Sequence, residues 1–544
     1  MKQTLQRLKI IFYIFCVCYG IILCNLFRIQ VICHKTYLDL ANQQYQSTVT
    51  VPASRSAIYD RNGNFLALNK ECISAYIIPS LCKNQSELNT FFSHNFPSAY
   101  ERFSHQNKSQ FMYVKRRLTD DEKEIILRSN LDEICFLQEE NRFYPLPCAG
   151  ILVGMTDIDN HGLFGIELQY DKLLAGQPTT CAIEKDARSG FSYFKKTVTH
   201  AGLSGKPITL TVDSTLQYLA YDELLQAVNQ FNAVEGAAII MNPQNGDIIA
   251  MTCYPDFNPN NAQQLDLATT KNRLITERYE LGSVIKVCAA LAALEEGVVS
   301  ADEIIDCKGS KTTVIDGRTI NTVKAHGEIP FWQVIAFSNN IGIAKVAKKV
   351  GTKMYDHYVK MGFIEPTGIG FPGEQTGYIT PPQQWSKQSI ISLSYGYEIS
   401  ITLLQLAQFF SLIANNGIMI HPRLLLEPNI QKESSNQPLY SLQAIETMKQ
   451  ILEKTTLEGT ARRARINGYR IMSKTGTANM LIDGVYSTKQ NHFTCAGIVE
   501  KDNYQRVIVV FLTAQGGNGR YASTMAVPLF EHIAEKMLIH DRIV

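Results

Sequence analysis

The chain has 544 residues, too many for one ordinary hydrophobic core, so two or more domains are expected. With 45% hydrophobic and 19% charged residues, it has the composition of a folded globular protein and not of a disordered one. Lys and Arg number 52 against 50 Asp and Glu, a formal charge of +2. Nothing in that balance argues for nucleic acid or for an electrostatic coat on a membrane.

The first element is an apolar run. Lys2, Arg7 and Lys9 precede Ile10 to Phe27, which carries no formal charge. At about 1.5 Å per residue this run spans roughly 27 Å, close to a bilayer core. No small-x-small site follows it, which weighs against a cleaved signal peptide, and bulky Leu23 weighs against a lipoprotein cysteine at Cys24. The expected topology is a cytoplasmic tail (1–9), a membrane anchor (10–27), and everything else outside. Of thirteen cysteines, four (Cys16, Cys18, Cys24, Cys33) lie in or beside the anchor. The other nine are scattered without a C-x-x-C pair, which fits neither a zinc site nor a disulfide framework; one or two disulfides stay open.

A helix is expected to leave the membrane over "VICHKTYLDLANQQYQ". Alternating apolar positions and a hairpin turn at Asn62-Gly63 follow in "TVTVPASRSAIYDRNGNFLALN". A boundary is expected near residue 206, giving a first domain over 28–205 and a second over 206–544. The strand Ile208 to Val212 then leads into an amphipathic helix capped by Asp213 or Ser214. Strands near 237–242 and 247–253 flank Pro243-Gln244-Asn245-Gly246, and "HFTCAGIVE" pairs with "QRVIVVFLTA" near the other end. Strands at both ends with helices between them predict one antiparallel sheet covered by helices, an α+β arrangement. A last helix is expected to start near Thr524.

Three short motifs carry chemistry. In "YELGSVIKVCAALAAL", Ser283 and Lys286 stand three apart at the mouth of an apolar helix and share a face. A hydroxyl beside an amine, among the free N–H groups of a first turn, is what acyl transfer needs: nucleophile, base and donors for an oxyanion. Ser192-Tyr-Phe-Lys195 matches the same spacing, so the motif alone is weak. Ser338-Asn339-Asn340 lies between two helical patterns, where Ser338 and Asn340 are placed to face a cleft; helix capping is the plainer role for such residues, and Ser434-Ser-Asn436 shows how common the pattern is. Lys474-Thr475-Gly476-Thr477 is the only Lys-Thr-Gly in the chain. On an edge strand, the lysine and threonines suit a carboxylate, and Gly476 lets a substrate backbone lie against the strand.

The order of the three motifs resembles that of penicillin-binding proteins and β-lactamases, and the chain resembles a class B penicillin-binding protein, a monofunctional peptidoglycan D,D-transpeptidase. The resemblance runs through "RSAIYDRNG", "GLFGIELQYDKLLAG", "LTVDSTLQ" and "MNPQNGDIIAMTCYPDFNPN". "YELGSVIK" and "SYGYEISITLLQLAQFFSLIANNG" are closest to the division-specific, septal type. Departures are Ser56 for a glycine, Leu281 for a proline, Glu398 for a glycine and Leu403 for a proline.

The resemblance implies that Ser283 attacks the penultimate D-Ala of a stem peptide. Lys286, its pKa lowered by Lys474, takes the proton, and Ser338 relays it to the departing D-Ala. Asn340 binds the donor peptide's amide, while Lys474, Thr475 and Thr477 hold the terminal carboxylate. Backbone N–H groups of Ser283 and Thr477 form the oxyanion hole. A neighbouring stem-peptide amine then makes the crosslink, and β-lactams acylate Ser283. The resemblance further implies no metal or cofactor, and as partners a membrane-embedded glycan polymerase and divisome proteins. Alternatives are the elongation-type transpeptidase, a serine β-lactamase and a non-catalytic penicillin-binding scaffold or sensor. Against the lactamase stand the anchor, the long pedestal and the lack of the aspartate that class A enzymes carry in the Ser338-Asn339-Asn340 loop.

Overall fold

The structure is a computed structural model and describes residues 2–105, 111–185, 193–261, 265–426, 437–482, 484–517 and 519–543. Contacts divide the chain into two units, Met1–Arg55 with Ala175–Lys206, and Ser56–Leu174 with Pro207–Val544.

The first unit begins with the helix Lys2–Phe27, in which no residue is buried. With its continuation to Ile32 it is long and apolar enough to cross a membrane. Helix His34–Tyr45 follows. The unit also holds a three-stranded antiparallel sheet, with Thr179–Lys185 between Gln46–Val51 and Tyr193–His200.

In the second unit, Ile58–Tyr59 and Phe65–Ile77 form the hairpin expected at Asn62-Gly63, where Gly63 has φ +85°. Asp60 is fully buried at this turn. Its Oδ1 accepts from the N–H groups of Asn62 and Asn64, both at 2.8 Å, and its Oδ2 accepts from Ser214 N–H at 3.1 Å and Ser214 Oγ at 2.6 Å. Burial alone would raise its pKa; the hydrogen bonds from Ser214 and Asn64 outweigh that and hold it below the ordinary value. Asn62 Nδ2 donates to Asp213 at 2.8 Å, and Asp213 in turn caps the helix Ser214–Phe231 through Thr215 and Leu216. The "DRNG" stretch is thus a polar joint that ties the hairpin to the first helix after it. A second joint is the ion pair Arg142–Glu167 at 2.7 Å, with both side chains no more than 1% exposed.

A further sheet of this unit has five antiparallel strands in the order Ile248–Tyr254, Glu235–Met241, Tyr504–Gln515, Val485–Lys501, Arg470–Ile482. Alternate residues face opposite sides. Ala237, Ile239 and Met241 join one core with the helices Lys286–Glu295 and Leu403–Ala414; Ala238 and Ile240 join another with Ser214–Phe231 and Ala522–His540. This is the α+β architecture expected, an antiparallel sheet covered by helices. All twelve residues of Leu403–Ala414 are buried, which is possible because Thr402 and Gln405 form a capping box that satisfies its first N–H groups. Leu403 fills the first helical position, where proline is also tolerated. The strand bearing Lys474 lies at the sheet edge, with one side free of strand partners among the described residues.

Candidate active site

Three backbones meet at this edge because three residues lack side chains. A Cβ on Gly476 would lie 2.3 Å from the carbonyl oxygen of Leu281. One on Gly282 (φ +58°) would lie 2.6 Å from that of Thr477, and one on Gly396 (φ +93°) would lie 2.2 Å from that of Gly282. The space a Cβ on Gly476 would take is filled by the segment that carries Ser283.

Ser283 sits in a short 3₁₀ turn, Gly282–Ile285, and the α-helix begins at Lys286. Residues three apart eclipse in a 3₁₀ turn, so the shared face of Ser283 and Lys286 is kept. Ser283 is half-buried and its hydroxyl has no hydrogen bond among the described residues. Lys286 is 0% exposed. Its Nζ donates to Ser338 O at 2.7 Å and to Ser338 Oγ at 2.9 Å. Lys474, also 0% exposed, reaches the same Oγ at 3.3 Å and donates to Thr475 O at 2.9 Å. Burial first, and then the charge of Lys474, hold Lys286 well below the ordinary amine value. Burial also pushes Lys474 down to about 7.

Ser338 is positioned by strain and capping. It adopts a left-handed backbone (φ +56°) between the helices Phe331–Ala336 and Asn340–Val350. Buried Asn339 caps the second helix by accepting from Gly342 N–H at 2.9 Å, and its Nδ2 lies 3.2 Å from His326 Nδ1. The His326 ring stacks on Phe337 at 5.2 Å. Asn340 Nδ2 donates to Asn321 O at 2.6 Å. Thr475 Oγ1 lies 2.8 Å from Thr460 Oγ1, and Thr477 Oγ1 accepts from Ala522 N–H at 3.1 Å.

A cavity of about 430 Å3 collects these groups. Ser283, Ser338, Asn340, Thr475 and Thr477 line it; Lys286 and Lys474 lie beyond its lining, hydrogen-bonded to Ser338. The three motifs therefore converge. Lys474, read from sequence as a carboxylate ligand, turns its amine to Ser338 instead of to the open cleft. Sequence reasoning missed Thr460 and His326, both in the cavity wall. Neither belongs to a motif, and only the fold brings them there. Ser192 and Ser434-Ser-Asn436, the competing matches, lie outside the described residues. Among the described residues no group of His, Cys, Asp and Glu is arranged to hold a metal.

Comparison with known proteins agrees with this geometry. Residues 236–535 match the family described as penicillin binding protein transpeptidase domain, and residues 50–210 match the penicillin-binding protein dimerisation domain. The chain is 28% identical over 493 residues to peptidoglycan D,D-transpeptidase FtsI of Escherichia coli K12, covering 88% of this chain and 82% of that one. It is 29% identical over 516 residues to a Pseudomonas aeruginosa protein named "Probable peptidoglycan D,D-transpeptidase PbpC", covering 94% and 90%. Penicillin binding protein 3 of Mycobacterium tuberculosis, solved with aztreonam, superposes with a TM-score of 0.68 at 25% identity, covering 91% of this chain and 98% of that one. Two family domains in this order, and a cleft lined by Ser283 and by the Ser338 on which two buried lysines converge, lead to one conclusion: the chain belongs to the penicillin-binding protein transpeptidase family, as a penicillin-binding protein of class B.

Proposed function

We propose that this transpeptidase crosslinks peptidoglycan stem peptides through an acyl-enzyme on Ser283, and that it does so during septal wall synthesis. The observation that carries the reading is the convergence of Lys286 and Lys474 on one oxygen, Ser338 Oγ, in a cavity that Ser283 also lines. A neutral amine has two N–H groups and one lone pair. Lys286 spends both N–H groups on Ser338 O and Oγ, which leaves its lone pair for the Ser283 proton. Full burial first, and then the charge of Lys474, favour that neutral form.

Ser283 then attacks the penultimate D-Ala carbonyl, and N–H groups of Ser283 and Thr477 stabilise the oxyanion. Ser338, hydrogen-bonded to both amines, passes the proton to the leaving D-Ala nitrogen. Asn340 holds the donor amide. Thr475 and Thr477 bind the terminal carboxylate in the field of Lys474. A β-lactam offers the same carbonyl and carboxylate, and so acylates Ser283 in turn.

The division into tail (1–9), anchor (10–27), pedestal (28–205) and transpeptidase domain (206–544) belongs to the same proposal, supported by the two family matches. So do the inner-membrane topology, with the bulk in the periplasm, and partnership with a glycan polymerase and divisome proteins. Lys286→Arg tests the chemistry, because arginine keeps the charge and cannot deprotonate. Labelling by a fluorescent penicillin should vanish; normal labelling would refute the base assignment. A midcell band of label in live cells supports the septal role, and a lateral distribution overturns it.

A further inference from the structure

Asn340 lines the reaction cleft, and its carboxamide is held by a segment outside its own motif. Nδ2 donates to Asn321 O at 2.6 Å, and the backbone N–H of Asn340 donates to Thr322 Oγ1 at 3.4 Å. A carbonyl oxygen can only accept, so the nitrogen end of the amide is the end that faces Asn321. One N–H and Oδ1 are left for a substrate amide.

Asn321 ends a hairpin. Strands Thr312–Ile315 and Arg318–Asn321 pair from Thr312↔Asn321 to Ile315↔Arg318. The two residues between them, Asp316 and Gly317, both have positive φ (+49° and +79°), as a tight type I′ turn requires. No further strand joins the pair among the described residues, and of its strand residues only Ile320 is buried. A two-stranded ribbon this exposed is marginal by itself, so its position depends on what it touches.

Two contacts brace its tip. Asp316 pairs with Lys348 at 2.6 Å, but both side chains are partly exposed, and such a pair is worth little. Arg318 is the stronger brace. Its Nη1 donates to Ser392 Oγ, and its guanidinium lies 5.9 Å from the centre of the Tyr395 ring. Ser392 and Tyr395 are both buried, at the helix Ser389–Ser394 and its end. Gly396 follows at once, and the space its missing Cβ leaves is filled by Gly282. Arg318 thus ties the ribbon that holds Asn340 to the wall against which the Ser283 turn packs.

We propose that Arg318 is a positioning residue for the donor amide: it fixes the hairpin, the hairpin fixes Asn321 O, and Asn321 O orients the Asn340 carboxamide. The inference rests on the reading of Asn340 as the ligand of the donor amide, and deepens it by naming what orients that ligand. It acts on substrates that carry an amide beside the reacting carbonyl, and not on those that lack one.

The test follows acylation of the full chain in detergent by two β-lactams. Benzylpenicillin has a side-chain amide; 6-aminopenicillanic acid has the same rings and carboxylate without it. The readout is the ratio of their second-order rate constants. Asn340→Ala should lower that ratio about tenfold, the size of one well-placed hydrogen bond. Arg318→Ala should lower it about threefold or more, and so should Arg318→Met, which keeps a stem over Tyr395 and removes the donor to Ser392. With Asn340→Ala already present, Arg318→Met should lower it no further, since a residue that acts through Asn340 then has nothing to act on. Both rate constants reduced equally, with the ratio at its wild-type value in both Arg318 variants, would make Arg318 a merely structural residue and overturn the proposal. A further fall in the double variant would overturn it too. A ratio unmoved by Asn340→Ala rejects the donor-amide role and the brace with it; a ratio that moves in Asn340→Ala and in neither Arg318 variant rejects the brace alone.

Discussion

Replacing Lys474 by methionine removes one ammonium while keeping the side chain's bulk. The two lysine amines lie 2.9 and 3.3 Å from Ser338 Oγ, so they are no more than about 6 Å apart. At an effective dielectric constant near 20, two unit charges at that distance repel by roughly 3 kcal/mol. The repulsion disfavours the charged form, so removing it raises the pKa of Lys286. The second-order rate constant for acylation by benzylpenicillin, followed from pH 5 to 10, should have its acid limb displaced to higher pH in Lys474→Met. Loss should be greatest below about pH 7, where Lys474 is charged in the wild type. The amplitude should fall as well, since carboxylate binding weakens. A rate lowered equally at every pH, with the midpoint unmoved, would refute the electrostatic role and leave Lys474 as a substrate ligand only.

Gly476→Ala should cost several degrees of Tm and most penicillin labelling, because the new methyl meets the Leu281 carbonyl and displaces the Ser283 turn. Thermal melting with labelling of the soluble fraction checks this. Glu167→Gln should lower unfolding stability by about 3–5 kcal/mol, since it strands the buried Arg142 charge, while the acylation rate of the folded protein changes little; urea titration reads the first and stopped-flow labelling the second. Asp60→Asn should destabilise by roughly 1–3 kcal/mol, because an amide nitrogen cannot accept the bonds now made by one carboxylate oxygen. Thr460→Val removes the hydroxyl partner of Thr475 and should weaken β-lactam binding more than the maximal acylation rate.

Much of the site was legible because it is written in local pattern. Ser283 and Lys286 are one turn apart, Ser338 to Asn340 are contiguous, and Lys474 to Thr477 alternate along one strand. Asp213 announced a helix start by its own chemistry, and Asn62-Gly63 announced a hairpin. What stayed hidden depends on approach between distant segments. Nothing local says that Leu281, 195 positions from Gly476, packs against it. Glu280, Glu398 and His492 are unremarkable in sequence and form a cavity only once the 398 turn and the edge strand meet the nucleophile segment. "DRNG" carried a family signature without a mechanism until Asp60 was seen holding Ser214.

The most direct measurement is intact-mass and peptide mapping of the full chain after brief exposure to benzylpenicillin. The account predicts one adduct per molecule, on the peptide holding Ser283, slow to hydrolyse and absent in both Ser283→Ala and Lys286→Arg. An adduct on another residue, or stoichiometric acylation that survives Lys286→Arg, would contradict it.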